Sequence, residues 1–377
     1  MRLGALEVKL QPRASLPGWK AALISVLAIV VALLLFSVLF VLARVSPLEA
    51  YREIISYAFF NRFGLPLSIS RGIFLLLCTY AFIVPYQAGL WNIGMTGQLY
   101  LGSLAVYAVV LALGGKANPS AAYPAGLIIP LLMLAAMAAG AAYAGVAGFL
   151  KGKFNVNEIV VTMLMNFIAF WLVSYTIKEG GPFMGGSGEG EGFKLPAALN
   201  APLVAGVPFT AFLALALAVL LTFMFAKTKV GYEIRAYGKS PAAARYAGIS
   251  GLRIPVLVFL IGGALAGLAG YHYFAAVPGV YKIPTNYGYF GDLAFYGIIC
   301  GLIALGHPLP AIPVALLFGG LSVGGRFAQG KLHMNFGLDY ALLGVLMITL
   351  VAFQFFYRYQ IVVTRLEREP ADVRVLR

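Results

Sequence analysis

From Ala21 to Leu42 the sequence runs without one charged side chain. A helix rises about 1.5 Å per residue, so roughly 20 such residues span the hydrocarbon core of a bilayer. The run is longer than the apolar core of a signal peptide, which holds about 7–15 residues. Arg2, Lys9, Arg13 and Lys20 ahead of it are therefore expected to precede an anchor that is kept. Similar runs recur, and spans are expected at about 72–86, 87–113, 124–150, 156–177, 208–226, 254–276 and 338–356. Two shorter pieces, 293–306 and 309–323, flank His307-Pro308 and read as half-spans or tilted spans that borrow flanking residues. The fold class expected is all-α: a polytopic integral membrane protein of about ten transmembrane helices, including broken or half-spanning segments.

Composition agrees, with 61% hydrophobic and 11% charged residues, against about 45–50% and 25% in soluble domains. The formal charge of +14 does not indicate nucleic acid, because the bases are scattered among short loops rather than clustered with exposed aromatics. Their distribution fits membrane topology instead. With the N-terminus inside and ten crossings, 17 of the 27 Lys and Arg residues lie inside. The expected organisation is a cytoplasmic segment 1–20, a membrane domain 21–357 and a cytoplasmic tail 358–377. Within the membrane domain, 178–207 forms an external loop and 227–253 a cytoplasmic region. The glycines between Gly180 and Gly192, with Glu189 and Glu191, indicate that the external loop is mobile. Cys78 and Cys300 both lie in apolar segments and read as packing residues, with no disulfide framework or metal spacing.

The cytoplasmic region contains one polar passage that reads as a folded element. Ser240 is a good N-cap, Pro241 suits the first helical position, Ala242, Ala243 and Ala244 are strong helix formers, and Gly248 supplies a stop. A short helix outside the bilayer follows, flanked by Arg235, Lys239, Arg245 and Arg253. Gly238-Lys239-Ser240 resembles the end of a phosphate-binding loop, but Glu233 stands where that motif requires glycine and no strand precedes it.

Polar residues at membrane depth are costly and call for individual readings. Asn155 or Asn157 can cap the fifth span, and Glu158 can face the positive end of its dipole; a place on the pathway is the alternative for Asn157 and Glu158. Asn166 lies in mid-span, suited to an interhelical hydrogen bond or to lining a pathway. Asp292 and Asp339 sit near span ends, and His272 reads as a satisfied or interfacial histidine; a lone His makes no metal site. The segment Gly89-Leu-Trp-Asn-Ile-Gly-Met-Thr-Gly-Gln98 is more informative, because its glycines loosen a helix beside Asn92, Thr96 and Gln98. Irregular backbone at this depth is tolerated only where it is buried in protein or lines a wet cavity. His307-Pro308 interrupts the second half, and such paired interruptions point to a substrate path, although no residue-level repeat joins the halves.

Three stretches resemble the permease subunits of ABC importers of the branched-chain amino acid and simple sugar class, closest to the nucleoside or simple-sugar subgroup. They are Gly89 to Gln98, Asn155 to Ile168 with its Val-Asn-Glu, and Arg235 to Ile249 with its Arg-Ala-x-Gly and Pro-x-Ala-Ala-Arg-Tyr-Ala-Gly-Ile. Thr96 departs from the subgroup pattern, which has Glu there. The resemblance implies a non-catalytic transport subunit with no cofactor or metal of its own. Its implied partners are cytoplasmic ABC ATPase subunits, a second permease (identical or sister), an external substrate-binding protein, a small-molecule substrate and membrane lipid. It implies an ATPase-coupling role for Arg235, Gly238, Ser240, Pro241, Ala243, Ala244, Arg245 and Gly248, and a substrate pathway at Asn92, Thr96, Gln98 and Asn166. Two rival readings stand beside it. An ion-coupled secondary transporter would need a titratable residue deep in the pathway, and a membrane transferase would need a partnered acid, base or metal set.

Overall fold

The computed structural model describes residues 2–3, 6–12, 18–178, 180–186, 190–277, 280–334, 337–353 and 355–365. The chain forms two compact units, one of residues 1–44 with 340–377, the other of residues 45–339. In the first unit, β1 (Arg2–Leu3) and β2 (Leu6–Pro12) precede α1 (Gly18–Leu42). The larger unit begins with α2 (Pro47–Ile55), whose last turn widens into a π-turn over Ser56–Phe60. There follow α3 (Gly64–Gln87), α4 (Met95–Ala112), α5 (Ala125–Phe154) and α6 (Glu158–Ile177). A hairpin of β3 (Leu203–Val204) and β4 (Val207–Pro208) leads to α7 (Thr210–Lys227). Next come α8 (Lys229–Lys239), α9 (Pro241–Tyr246), α10 (Arg253–Tyr271), α11 (Gly288–Ile303) and α12 (Pro308–Lys331). α13 (Leu338–Phe353), α14 (Phe355–Arg358) and β5 (Tyr359–Arg365) complete the first unit.

Among the described residues seven helices are long and apolar enough to cross a membrane: α3, α4, α5, α6, α7, α10 and α12. The ten segments expected correspond to these with α1, α11 and α13, but some boundaries move. α3 begins at Gly64 rather than Gly72, because Asn61 Oδ1 accepts from the backbone N–H of Phe63 and Gly64 and the helix then runs straight through Arg71. The piece at 309–323 is no half-span; α12 has 24 residues. Its last part escaped the hydropathy pattern because Gly319, Gly320 and Gly324 are there for packing: a Cβ on them would strike Gly72, Phe59 and Ile54.

β2 pairs antiparallel with β5, Leu6 opposite Arg365 through Pro12 opposite Tyr359. The strand before α1 and the strand after α14 thus lie side by side. Residues 366–377 lie outside the described residues.

The described part of the loop 178–207 departs from the mobility expected of it. Gly192 N donates to Ile283 O at 2.8 Å and Leu195 N to Tyr281 O at 2.9 Å, while Glu191 pairs with Lys282. Phe183, Phe193, Leu195 and Leu199 are buried, two of them against Tyr107. The described part of 178–207 is thus a packed cover, its glycines serving turns and close contacts; Glu189 lies outside the described residues.

α3 and α10 are the most buried spans, and their packing is reciprocal: α3 lies on α12 as α10 lies on α5, and α3 meets α11 as α10 meets α4. Glycines make each meeting. Gly319 lies against Gly72, Gly263 against Gly140, Gly297 against Cys78 and Gly102 against Gly267. The two central spans are thus packed in parallel fashion, α3 on α11 and α12 and α10 on α4 and α5, although no residue-level repeat joins the halves. Small residues suit a bilayer, where helices associate through close van der Waals approach rather than through expulsion of water. In a helix interior Gly→Ala normally stabilises by about 1 kcal/mol. Gly126→Ala, where a Cβ meets open space, should leave thermal unfolding in detergent unchanged or raised. Gly267→Ala, whose Cβ would overlap the Ala136 carbonyl, should lower it by about 2 kcal/mol, the usual scale of overpacking. Equal melting of the two variants would contradict this account of the core.

Candidate functional site

The site starts where α7 leaves the apolar layer. Thr228 stops α7 and caps α8, its Oγ1 accepting from Gly231 N at 3.1 Å and donating to Met224 O at 2.6 Å. α8 folds back tightly, since a Cβ on Gly231 would overlap the carbonyl of Met224. Arg235 points inward and donates to the carbonyl of Phe225 near the end of α7, so it braces the α7–α8 corner. Ser240 is extended (φ −158°, ψ 100°) and ends one helix while starting the next, its Oγ accepting from Ala243 N at 3.3 Å. Pro241 occupies the first turn of α9. Gly248, at φ +83°, turns the chain away and lets Ile249 N reach Ala244 O at 2.9 Å.

α9 is short and exposed. Ala244 is buried against α8, whereas Ala242, Ala243 and Arg245 are exposed and Tyr246 is 98% exposed. Arg245 Nε donates to Pro241 O at 3.3 Å, leaving the rest of the guanidinium at the surface. A cleft of about 550 Å³ separates the two helices, lined by Tyr232, Glu233, Ala236, Lys239, Ala243 and Ala247. Missing from the sequence reading was α8 itself, which carries α9. Its signal was present, with Ile234 and Tyr237 buried three residues apart on an otherwise polar segment.

Gly238 joins this corner to the membrane layer. A Cβ there would overlap the carbonyl of Gln87, and Gly89, at φ +71°, approaches the carbonyl of Gly238 in return. Gln87 to Gly89 open the non-helical break between α3 and α4. The interruption expected at these glycines thus sits directly beneath α8.

The break is tied on all sides. Asn92 and Gln98 face each other as paired amides, Asn92 Nδ2 donating to Gln98 Oε1 at 2.9 Å and Gln98 Nε2 to Asn92 Oδ1 at 2.8 Å. Asn92 Oδ1 also accepts from Gly94 N at 3.1 Å. Asn166 on α6 uses both ends of its amide: Oδ1 accepts from Gly97 N at 2.8 Å and Nδ2 donates to Ile93 O at 2.9 Å. Thr162 Oγ1 accepts from Ile93 N at 3.3 Å, and Glu158 Oε1 from Trp91 N at 3.4 Å. Thr96 is buried on the first turn of α4.

Asn157 caps α6, its side chain accepting from Ile159 N at 2.9 Å and Val160 N at 3.4 Å, while Asn155 ends α5 in the left-handed region at φ +52°. Glu158 forms an ion pair with Lys151 at 3.0 Å as well as holding the break. Thr162 and Gln87 were not foreseen. Gln87 Nε2 donates to Gly306 O at 2.7 Å and so draws the His307-Pro308 interruption against the break, a pairing 219 residues apart that no local pattern announces. His272 stands elsewhere and is satisfied: Nε2 donates to Ser70 O at 2.8 Å and Nδ1 lies 2.6 Å from Thr210 Oγ1. No group of three or more metal-ligating residues occurs among the described residues.

The family model of the branched-chain amino acid transport system / permease component matches residues 68–351. The chain is 32% identical over 374 residues to a glucose ABC transporter permease protein of Haloferax volcanii, covering 94% of each chain. It is 31% identical over 255 residues to a guanosine ABC transporter permease protein of Bacillus subtilis, covering 66% of this chain and 70% of the other. With a nucleoside ABC transporter permease protein of Lactococcus lactis it shares 26% over 324 residues, covering 81% and 84%. No solved structure matches it. The capped corner, the stapled break and the apolar spans are therefore parts of a multi-pass ABC transporter permease subunit, and the chain belongs to the family of branched-chain amino acid transport-system permease components.

Proposed function

We propose that this chain is the membrane pathway of an ATP-driven importer of a simple sugar or nucleoside. α8 and α9 serve as the docking element for cytoplasmic ATPase subunits. The observation that carries the coupling role is the backbone contact between Gly238 and Gln87–Gly89, which connects an exposed capped helix to the one break in the apolar layer that α6 staples. In this reading Ser240, Pro241, Ala243, Ala244 and Gly248 shape the helix presented to the ATPase. Gly238 passes its displacement on, and Arg245 meets the partner while Arg235 holds the corner. Asn92, Thr96, Gln98 and Asn166 belong to the pathway as the polar frame of the break, with Asn157 and Glu158 anchoring its outer edge. A second permease, identical or sister, completes the channel, and an external binding protein delivers the solute.

Orientation rests on charge. Lys151, Lys153, Lys227, Lys229, Lys239, Arg245 and Arg253 gather at the end where the break, the α5–α6 turn and α8–α9 converge. A cytoplasmic position for that end follows the positive-inside rule. The pairing of β2 with β5 supports a common side for the two ends of the chain, which we assign to the cytoplasm as well. The substrate class is supported by relatives named for glucose, guanosine and nucleosides, solutes that share a sugar ring.

Ala243→Arg adds bulk to an exposed position. It should leave melting of the subunit within about 0.5 kcal/mol, as for other surface changes, yet reduce ATP-driven uptake at least tenfold in vesicles containing the co-purified ATPase. Normal uptake would remove α9 from the docking role. Asn166→Leu strands a buried N–H and C=O, costing about 1–3 kcal/mol each. It should lower the unfolding midpoint and abolish uptake while the ATPase remains bound to the membrane subunit. Competition of labelled uptake by glucose and by guanosine separately decides the substrate; displacement by neither would overturn the sugar-ring assignment.

A further inference from the structure

At the end of the bundle away from the break, the fold brings two arginines to one cavity. Arg71 lies in the second turn of α3 and Arg326 five residues before the end of α12, about 10 Å and about 7 Å from those helix ends at 1.5 Å per residue. Both guanidiniums rest against the ring of Tyr289, 5.5 and 4.3 Å from its centroid, and Arg71 also lies 5.4 Å from that of Tyr273. The cavity they border has a volume of about 300 Å³ and also takes in the hydroxyl residues Ser70 and Ser322. Its remaining wall is apolar, with Leu67, Val277 and Val323. Leu67 is 40% exposed and Arg326 is exposed, so the cavity opens on the outer surface of the helices with apolar and cationic groups at its mouth.

The chemistry of this cavity is specific. A guanidinium resting against an aromatic face carries five N–H donors in one rigid plane, enough to bond a neighbouring hydroxyl and a further group. Two such forks with nearby hydroxyls match the oxygens of a phosphate, which arginine binds in bidentate fashion. With the helix ends at the membrane surface, the cavity would lie at the boundary between headgroups and acyl chains, since the polar zones add roughly 5–7 Å to each face of the hydrocarbon core. Arginines at such a level suit anionic headgroups through charge-assisted hydrogen bonds to phosphate.

We propose that this cavity binds a phosphate group through Arg71 and Arg326, and that its apolar wall takes the first methylenes of an acyl chain, making an anionic phospholipid its ligand. A soluble phosphate ester shares the headgroup chemistry, and the experiment separates the two sources. The site is independent of the transport reading: it would exist whatever solute the chain carries.

The test uses the full chain with its co-purified partners, delipidated in mild detergent and examined by native mass spectrometry with added phosphatidylglycerol, phosphatidylcholine or glycerol phosphate. Wild type should retain phosphatidylglycerol at least fivefold over phosphatidylcholine, and Arg71→Gln/Arg326→Gln should lose that preference. Arg71→Lys/Arg326→Lys keeps the charge without the fork and should fall between them, which guards against a merely unfolded double variant. Val323→Trp fills the apolar wall: it should displace the lipid and leave glycerol phosphate binding intact if a soluble ester is bound at all. Retention of glycerol phosphate with no lipid preference would assign the site to a soluble ester and overturn the lipid source. Equal retention of every ligand by wild type and a folded double-Gln variant would overturn the phosphate site.

Discussion

A backbone amide or carbonyl left unpaired in hydrocarbon costs several kcal/mol, so a helix can be broken at membrane depth only where other groups replace its lost hydrogen bonds. That constraint organises the region around Ala88 to Gly97. The N–H groups of Trp91, Ile93, Gly94 and Gly97 and the carbonyl of Ile93 all need partners, and Glu158, Thr162, Asn92 and Asn166 supply them. Three of those four residues stand on α6 at positions 158, 162 and 166, one turn apart on a single face. The identity of α6 as the helix beside the break is thus fixed by hydrogen bonding rather than by apolar fit. It also accounts for a helix whose opposite face, with Phe167, Ile168 and Trp171, is exposed.

Elsewhere the bundle is held by approach rather than by polar pairing. Gly263 and Gly267 let α10 lie directly on α5, and Gly319 does the same for α12 on α3. Backbone-to-backbone contacts of this kind have no flexible side chain between them to absorb a shift, so each pair moves as a block. The reciprocal arrangement makes two such blocks, α5 with α10 and α3 with α12, meeting at the α3–α10 contact. The break hangs from the end of α3 and is stapled to α6, and it sits on Gly238 of α8. It therefore lies where a rocking of the blocks and a push from outside the bilayer would both be felt.

Much of this was legible in the sequence. Apolar length gave the spans, Ser240-Pro241 followed by alanines and Gly248 gave α9, and glycines among Asn92, Thr96 and Gln98 gave the break. What escaped depends on contacts between distant residues. Arg71 halted the expected second span, although a helix that places the arginine on aromatic rings can continue through it. Glycines after Gly180 read as slack, but Gly185 and Gly192 are there because main chain passes against them, at Gly192 and at Ile283 respectively. Pairing of β2 with β5 joins residues some 350 positions apart in strands with no hairpin turn between them, so no local signal exists for it. The matching packing of α3 and α10 likewise resides in where small residues fall on helix faces, a pattern many unrelated residue choices satisfy.

α9 has six residues, far below the about 12–15 at which an isolated helix holds itself together in water. It is ordered by its ends. Ser240 caps it while its own N–H donates to Ala236 O in the last turn of α8, Gly248 closes it, and Ala244 is its one buried side chain. Such an element resists internal bending but has little surface of its own to bury, so a partner that covers Ala242, Ala243 and Tyr246 gains most of the apolar contact available there. The joint at Ser240 has no spare residues, because one residue both terminates α8 and initiates α9. In the proposed coupling role, force applied to α9 would be delivered to α8 with little loss. α8 meets the membrane layer through glycine against main chain, so such a displacement would arrive at the backbone of Gln87 to Gly89. That is the point where the apolar layer is already unwound, and where exchanging a few hydrogen bonds costs less than unwinding a helix turn.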